Sequence, residues 1–295
     1  MNKKTRVLTF DIEEWFHILD IKNNLITDWD KYECRIYENV EFILNELNEH
    51  GHKATFFCLG WVAERYPDII REINRYGYEI GTHSYSHNIA YKMTPDQFRE
   101  DLVKSKSIIE NIISKPVRSF RIPGFSLTES NMWVFEILAE SGITIDSSIF
   151  PAKRDHGGYC QFLIDKPVCV KTRFGTIKEF PVNTVSLFGR NIAFSGGGYF
   201  RVFPYNLLKI LIEKSPYIMS YFHPRDFDPN QPVLSNMSIK RRFKSYVGLK
   251  SSVNKFKTIL KDFKFIDIAE AEKLIKWNVN LLIIPEKPAD IKVAA

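Results

Sequence analysis

The order of apolar and polar positions predicts strands and helices that alternate along the first half of the chain. Short apolar runs predict strands at Thr5–Ile12, 54–59, 78–80, 117–122 and 143–146. Apolar residues at helical spacing predict helices at 36–50, 67–76, Pro95–Ile113 and 131–141. The third helix has a clear start, because Thr94, Pro95 and Gln97 form the pattern of a capping box with proline at the first helical position. This alternation indicates an α/β fold with a parallel sheet.

The pattern changes after residue 150. Two apolar runs at 168–173 and 176–182, joined by Phe174 and Gly175, predict a β-hairpin, and we expect about 151–198 to be an insertion. Strand and helix patterns then return, with helices expected at 204–213, 251–261 and 269–277, strands at 217–223 and 263–268, and a tail over the last ten residues. Since no linker separates these parts, residues 1–295 are expected to form one catalytic domain.

Composition and the lengths of the apolar stretches say more about the location of the protein than about any reaction that it catalyses. The 295 residues are 44% hydrophobic and 26% charged, with a formal net charge of +6 that fits an anionic partner without requiring one. The apolar stretch after the basic N-terminus ends at Asp11, too early for a signal peptide, and the best candidate for a membrane span, 206–222, is interrupted by charges and a proline. The four cysteines form no CxxC pair. We therefore expect a cytoplasmic protein with reduced cysteines and no transmembrane segment.

The first cluster of chemically active residues follows the first strand. Asp11 and Glu13 share one face of an extended segment, while Glu14 points the other way. Two carboxylates on one face repel each other unless a positive group lies between them. The alternative is a solvated acidic turn, which the segment alone favours.

The second cluster is the sequence from His83 to His87. Two histidines four positions apart converge on one metal ion if the segment turns helically. Glu13 supplies a carboxylate, and a site of one carboxylate and two imidazoles leaves positions open for water, as catalytic metal sites do. Asp11 beside it could then act as a base. A chance HxxxH pair is the alternative.

Two further residues, Arg121 and His223, lie at expected strand ends. In isolation, an arginine at such a place is often a surface ion pair, and a histidine before a proline is often a turn residue.

Taken together and in this order, these motifs resemble the polysaccharide deacetylase family, also called carbohydrate esterase family 4 or the chitooligosaccharide deacetylase homology domain. The resemblance runs from Thr9 to about His223. It includes Ala54-Thr55-Phe56-Phe57, Gly81-Thr82-His83-Ser84 and 195–200, which are similar to the branch found in bacterial exopolysaccharide gene clusters, and in that branch it extends to about Phe265. The resemblance implies a distorted (β/α) barrel with an incomplete set of units.

The resemblance also implies roles for individual residues. Asp11 would be the base that takes a proton from the attacking water, and His83 and His87 would be the imidazole ligands of the metal. Arg121 would hold Asp11 ionised, and His223 would protonate the leaving amine. The backbone N–H of Gly124 would bind the oxyanion. Asp146 would orient His223 or Arg121.

One position departs from the commonest family pattern. That pattern has two consecutive aspartates, the second a metal ligand, whereas Ile12 follows Asp11 here. The ligand must therefore move to Glu13, and Glu14 remains open as an alternative. Zinc is the default metal for such nitrogen and oxygen ligands, with cobalt, nickel, manganese or iron as alternatives.

The function expected is removal of an N-acetyl group from an amino sugar in exopolysaccharide or lipopolysaccharide assembly, on a polysaccharide, a glycan or a lipid- or nucleotide-linked precursor. Two alternatives stay open: hydrolysis of another C–N bond in a cyclic imide, ureide or formamide, and a non-catalytic carbohydrate-binding protein on the same fold. The basic stretch 240–244 could contact a lipid-linked or nucleotide-linked glycan, although a solvated basic face is the simpler interpretation. The sequence contains no nucleic-acid-binding motif.

Overall fold

The structure is a computed structural model that describes residues 4–19, 25–159, 165–187, 189–234, 237–277, 281–283 and 293–294. Cys160 lies outside these residues. Within them, no helix combines the length and the apolar content that crossing a bilayer requires.

A ten-stranded sheet forms the frame of the molecule, in the order β10-β1-β2-β3-β4-β5-β7-β6-β11-β12. Neighbours in this order are parallel except the β6–β7 and β11–β12 pairs, which are antiparallel. The strands of this sheet are β1 Thr5–Ile12, β2 Thr55–Cys58, β3 Glu79–Thr82, β4 Ser119–Phe120, β5 Ile145–Asp146, β6 Val168–Thr172, β7 Gly175–Glu179, β10 Tyr217–Phe222, β11 Leu281–Ile283 and β12 Val293–Ala294. A separate antiparallel pair consists of β8 Thr184–Leu187 and β9 Arg190–Ala193. β10 and β12 lie at opposite edges of the described sheet, which is therefore an open, incomplete barrel.

Helices follow most of the parallel strands. They are α1 Ile36–Glu49, α2 Gly60–Arg65, α3 Pro67–Arg75, α4 Pro95–Ile113, α5 Trp133–Glu140, α6 Gly197–Val202, α7 Tyr205–Lys214, α8 Ile239–Tyr246, α9 Leu249–Asp262 and α10 Ile268–Leu274. The predicted capping box of α4 is present, since Thr94 Oγ1 accepts from the Gln97 backbone N–H and the Gln97 side chain accepts from the Thr94 N–H.

The core is strongly aromatic near the first strand. Phe10 of β1 stacks on Phe56 of β2 with ring centroids 5.2 Å apart and meets Phe256 of α9 edge to face at 6.0 Å. Because aromatic side chains bury large areas, these contacts fix β1 firmly between its neighbours and α9. The candidate site lies at the carboxyl end of this strand.

The predicted α/β fold, the hairpin and the first five strands and four helices are confirmed within a few residues at their ends. Two predictions are wrong. Residues 263–268 were expected to form a strand but make only a bridge between Ile266 and Val7. From Thr9 onward, that edge of β1 pairs with β2. The expected tail includes β12, which pairs with β11.

Candidate metal and catalytic site

Strand register brings the candidate residues together. β1 pairs with β10 so that Phe10 lies beside Phe222, and with β2 so that Ile12 lies beside Cys58. Cys58 in turn lies beside Thr82 of β3. The residues just beyond these positions, Glu13, His83 and His223, therefore emerge together at the carboxyl edge of the sheet, where α/β folds place their sites.

Three side chains, those of Glu13, His83 and His87, form a compact group with the composition of a metal site, called the metal group below. Nε2 of His83 and Nε2 of His87 each lie 3.3 Å from Oε1 of Glu13. The three ligand atoms lie within 4.8 Å of one another, and all three residues are buried. Burial works to raise the pKa of Glu13, but the charges of His87 and His223 and the close contacts with the His83 and His87 rings lower it well below its ordinary value. Glu13 is therefore ionised and faces two imidazoles.

The hydrogen bond of His83 fixes which of its nitrogens faces this group. Nδ1 of His83 lies 2.8 Å from the backbone carbonyl oxygen of Arg121, which only accepts, so Nδ1 carries the proton and donates it. The lone pair is then on Nε2, which is buried and has no hydrogen-bond partner among the described residues. An imidazole anchored through one nitrogen and unpartnered at the other is the arrangement of a metal-ligating histidine. The residues present therefore fit a divalent metal.

His83 and His87 converge through a tight turn and not through the helical turn that the sequence analysis considered. Ser84 and His87 adopt positive φ angles of 65° and 54°, and Ser84 Oγ accepts a hydrogen bond from the His87 N–H at 3.2 Å. The carboxylate of Asp101 in α4 accepts from the backbone N–H groups of Tyr85 and Ser86 at 2.7 and 3.0 Å. The Asp101 side chain thus stabilises a turn whose positive φ angles do not occur within an α-helix.

The adjacent side chains of Glu13 and Glu14 have different partners. The Glu14 carboxylate accepts from the N–H groups of Arg35 and Ile36 at 2.7 and 3.0 Å, at the start of α1, and from the Trp15 N–H at 3.2 Å. An acidic side chain at a helix N-terminus satisfies otherwise unpaired N–H groups and interacts favourably with the helix dipole. Glu14 therefore caps α1, and Glu13 is the carboxylate that contacts the histidines.

Asp11 is held by a fully buried arginine. Nη1 of Arg121 donates to Oδ1 of Asp11 and to the hydroxyl of Thr9 at 2.8 and 2.7 Å. Nε and Nη2 donate to the backbone oxygen and the hydroxyl of Ser147 at 3.0 and 2.8 Å. With most of its donors engaged, the guanidinium holds the Asp11 carboxylate in one orientation beside the metal group.

The structure gives His223 an acidic partner that the sequence analysis did not name. Nδ1 of His223 lies 3.1 Å from Oδ2 of Asp226, and Nε2 lies 3.8 Å from Asp11 Oδ2 and 3.6 Å from Glu13 Oε1. Burial works to lower the pKa of His223, but Glu13, Asp226 and Asp11 raise it to about 9. The imidazole is thus protonated at neutral pH and directed at the site. The signal in the sequence was an aspartate three positions after the histidine, a spacing that lets its side chain fold back in a short turn.

Asp146 has other partners than those expected. Its carboxylate accepts from the hydroxyl and N–H of Ser148 at 2.6 and 3.2 Å and shares a hydrogen bond with Glu179. Burial raises the pKa of Asp146, and burial together with the Asp146 charge raises that of Glu179 well above its ordinary value. Two buried carboxyl groups in contact share a proton. The contact to Arg121 that was expected of Asp146 comes from its neighbour Ser147.

His17 is a further buried imidazole in the wall of the site. Nδ1 accepts from the Glu14 N–H at 3.1 Å, and the ring packs on Trp29 with centroids 4.1 Å apart. Burial lowers the pKa of His17 well below its ordinary value, so the neutral ring carries its proton on Nε2. Its hydrogen-bonding pattern is the reverse of that of His83 and makes it a donor rather than a ligand.

The site opens into a cavity of about 460 Å³ whose lining includes Asp11, Glu13, His87, Gly124 and His223. Gly124 adopts a left-handed conformation with φ of 61°, and a side chain there would collide with Leu19. A third cluster of acids and a histidine, Glu46, Glu49 and His50, lies along α1 away from these residues. It is partly exposed, as acidic helix faces commonly are.

The chain is similar to sugar deacetylases in its first half. Residues 1–144 match the family model described as polysaccharide deacetylase, and residues 147–273 match a domain of unknown function. A peptidoglycan-N-acetylglucosamine deacetylase of Bacillus cereus is 35% identical over 95 residues, which cover 32% of this chain and 34% of the relative. A chitooligosaccharide deacetylase of Azorhizobium caulinodans is 32% identical over 78 residues, 26% of this chain and 37% of the relative. The matches thus span about a third of these relatives' lengths.

Solved structures agree on the fold. A candidate polysaccharide deacetylase from Mycobacterium smegmatis superposes with a TM-score of 0.59 at 19% identity, covering 94% of each chain. A carbohydrate esterase family 4 pseudoenzyme from Bacillus anthracis gives a TM-score of 0.51 at 17% identity, covering 95% of this chain and 68% of that one. The fold is therefore the incomplete (β/α) barrel of the deacetylases, as predicted. Residues 1–144 thus carry a polysaccharide deacetylase domain, as the sequence motifs predicted.

Proposed function

We propose that this protein is a metal-dependent deacetylase that removes an N-acetyl group from an amino sugar. The observation that carries the proposal is the geometry of Glu13, His83 and His87, with an ionised carboxylate 3.3 Å from two imidazole nitrogens. Zinc is the default metal for this donor set. Glu13, His83 and His87 would hold such an ion, which would supply Lewis acidity to polarise the acetyl carbonyl and to make water a stronger nucleophile.

The chain's own residues complete the reaction in two stages. Asp11, ionised and held by Arg121, takes a proton from the water that attacks the acetyl carbon. The Gly124 backbone N–H donates to the developing oxyanion, an interaction typically worth about 3 kcal/mol. His223, protonated and held by Asp226, then gives its proton to the amide nitrogen, so that the C–N bond breaks and acetate and a free amine leave. Asp146 supports this arrangement through Ser147, its neighbour in the chain, which holds Arg121.

A further proposal concerns the whole chain. We propose that residues 1–295 form one catalytic unit, because β7 and β6, from the second half, extend the sheet built by the first half. The cytoplasmic location and the exopolysaccharide or lipopolysaccharide setting stay predictions. The named relatives are sugar deacetylases, which favours this reaction over hydrolysis of an imide, ureide or formamide.

The family also contains pseudoenzymes, one of which superposes on this chain. Here Asp11 and His223 are both present and both lie within 4 Å of the metal group or of each other, which favours an active enzyme. The test is acetate release from chitooligosaccharides, N-acetylated sugar phosphates and nucleotide sugars by zinc- or cobalt-loaded protein, beside an Asp11→Asn variant. Release by the wild type that falls at least 100-fold in the variant supports the proposal. No release from N-acetylated oligosaccharides, sugar phosphates or nucleotide sugars contradicts it.

A further inference from the structure

The wall of the cavity carries an excess of positive charge outside the metal group. Among the residues that the structure describes, six cationic side chains line it, and the carboxylates in the lining besides Asp11 and Glu13 are Asp155 and Asp226. The charges of Asp11 and Glu13 are those that a divalent metal would offset. The six cations are Lys153, Arg154, Arg201, Arg225, Arg241 and Lys244. The two other carboxylates are already engaged, Asp226 by Arg201 and Asp155 by Lys244.

Arg154 is half-buried and has no carboxylate partner among the described residues. Its Nη1 donates to the hydroxyl of Tyr221 at 3.3 Å, and its guanidinium lies over the rings of Phe125 and Phe150, 5.0 and 4.4 Å from their centroids. The aromatic rings hold the planar group in place and leave most of its N–H donors unused. An arginine stacked in this way is well suited to bind a phosphate or a carboxylate.

Arg225 is a second half-buried cation, and its hydrogen-bond partners among the described residues are neutral. Nε donates to Oε1 of Gln231 at 2.9 Å, Nη2 donates to the backbone oxygen of Ser245 at 3.3 Å, and the group lies over the Tyr246 ring. Burial and the nearby charge of Arg201 lower the pKa of Arg225 to about 10, so it stays charged at neutral pH. Because a charge removed from water is costly without a counter-charge, an anion that enters the cavity would be bound favourably.

We infer that the cavity contains a subsite for an anionic group, a phosphate or a carboxylate carried by the N-acetylated sugar, and that Arg154 and Arg225 recognise it. This inference rests on the proposed deacetylase function and names its substrate class. A neutral chitooligosaccharide would give neither guanidinium group an anionic hydrogen-bond partner. A sugar phosphate, a nucleotide- or lipid-linked sugar or an amino uronate would supply one.

Binding of the deacetylated product tests the subsite without any turnover. We would measure by calorimetry the dissociation constants of glucosamine, glucosamine 1-phosphate and 2-amino-2-deoxyglucuronate for the metal-loaded protein. The proteins are the wild type, Arg154→Gln, Arg225→Gln and the control Arg242→Gln, which removes the same charge from an exposed position of α8 outside the cavity lining. Thermal unfolding of each variant checks that it is folded.

The inference predicts that at least one charged sugar binds roughly ten-fold or more tightly than glucosamine, as expected for hydrogen bonds to a charged group. Arg154→Gln and Arg225→Gln should each remove most of this advantage, and Arg242→Gln should keep it. Preference for the phosphate or for the uronate identifies which anion the substrate carries. Equal binding of charged and neutral sugars, or an advantage that survives both cavity substitutions, would overturn the inference. Product binding with this pattern in a protein that releases no acetate would leave the subsite standing and reject the deacetylase function alone.

Discussion

Nδ1 of His83 donates a hydrogen bond to the backbone carbonyl oxygen of Arg121 at 2.8 Å. The same arginine binds Asp11 through its side chain at 2.8 Å. Arg121, the residue that follows β4, therefore orients the His83 imidazole with its backbone and the expected base, Asp11, with its guanidinium. This connection separates two effects, because a substitution of the Arg121 side chain leaves the backbone carbonyl in place.

Arg121→Lys is expected to lower activity while metal binding is retained. Lysine keeps the charge but cannot reproduce the hydrogen bonds to Thr9, Asp11 and Ser147, so the Asp11 carboxylate loses its fixed orientation. We expect kcat to fall by roughly 10²-fold, the size of a general-base contribution, and the free energy of unfolding to fall by about 1–3 kcal/mol. Kinetics, metal analysis and urea unfolding measure these effects, with the exposed Arg118→Lys as control. Loss of the metal together with the activity would show that the two effects are not separate.

Glu13→Ala and Glu14→Ala form a matched pair that distinguishes the two adjacent carboxylates. Glu13→Ala should abolish or greatly weaken metal binding, because it removes the carboxylate that faces both imidazoles. Glu14→Ala should keep the metal and lower the free energy of unfolding by about 0.5–2 kcal/mol, as loss of a helix cap does. Metal titration and chemical denaturation provide the two measurements. A reversed pattern, with the metal lost in Glu14→Ala, would contradict the assignment.

Asp226→Asn is expected to move the alkaline limb of the pH–rate profile to lower pH. The negative charge of Asp226 helps to hold the pKa of His223 at about 9, above its ordinary value of 6.5. Removing that charge lowers the pKa, so His223 loses the proton needed by the leaving amine at a lower pH. Measuring kcat/KM between pH 6 and 10 for the wild type, Asp226→Asn and the exposed control Asp68→Asn would show the shift. An unchanged limb would mean that His223 is not the acid.

Glu179→Gln is expected to flatten the pH dependence of stability. Since the folded state raises the pKa of Glu179 well above its ordinary value of 4.5, folding retains a proton that the unfolded chain releases. The free energy of unfolding therefore decreases as pH rises above that value, by up to about 1.4 kcal/mol per pH unit for one proton. Urea unfolding at pH 5, 6, 7 and 8 should show this slope in the wild type and in the exposed control Glu41→Gln. The same slope in Glu179→Gln would refute the shared proton.

The sequence predicted the parts of the fold that depend on local patterns. Apolar periodicity and the Thr94 capping box identified the first strands and helices, and their alternation then indicated a parallel sheet. The elements missed include α2, β11 and β12. Four others, β8, β9, α6 and α8, lie between residues 184 and 246, where short elements interrupt the pattern. Their positions depend on contacts with the rest of the fold more than on their own periodicity.

The candidate site was predicted where residue type and spacing define the chemistry. Motif spacing led to Asp11, Glu13, His83, His87 and His223, which the structure places side by side, although their roles stay predictions. Glu179 could not have been identified, because its contact with Asp146 arises from the pairing of β5 with β7, 33 residues apart in register. The separate positions of Glu13 and Glu14 likewise depend on where α1 begins relative to β1.

Metal content is the most direct test of the central claim. Elemental analysis of the wild type, a His83→Ala/His87→Ala variant and the control His50→Ala, from the acidic cluster on α1, would follow incubation with zinc or cobalt and removal of free metal. The account predicts about one transition-metal ion per chain in the wild type and in His50→Ala and almost none in the folded double variant. No metal in any of the three, or equal metal in all of them, would contradict it.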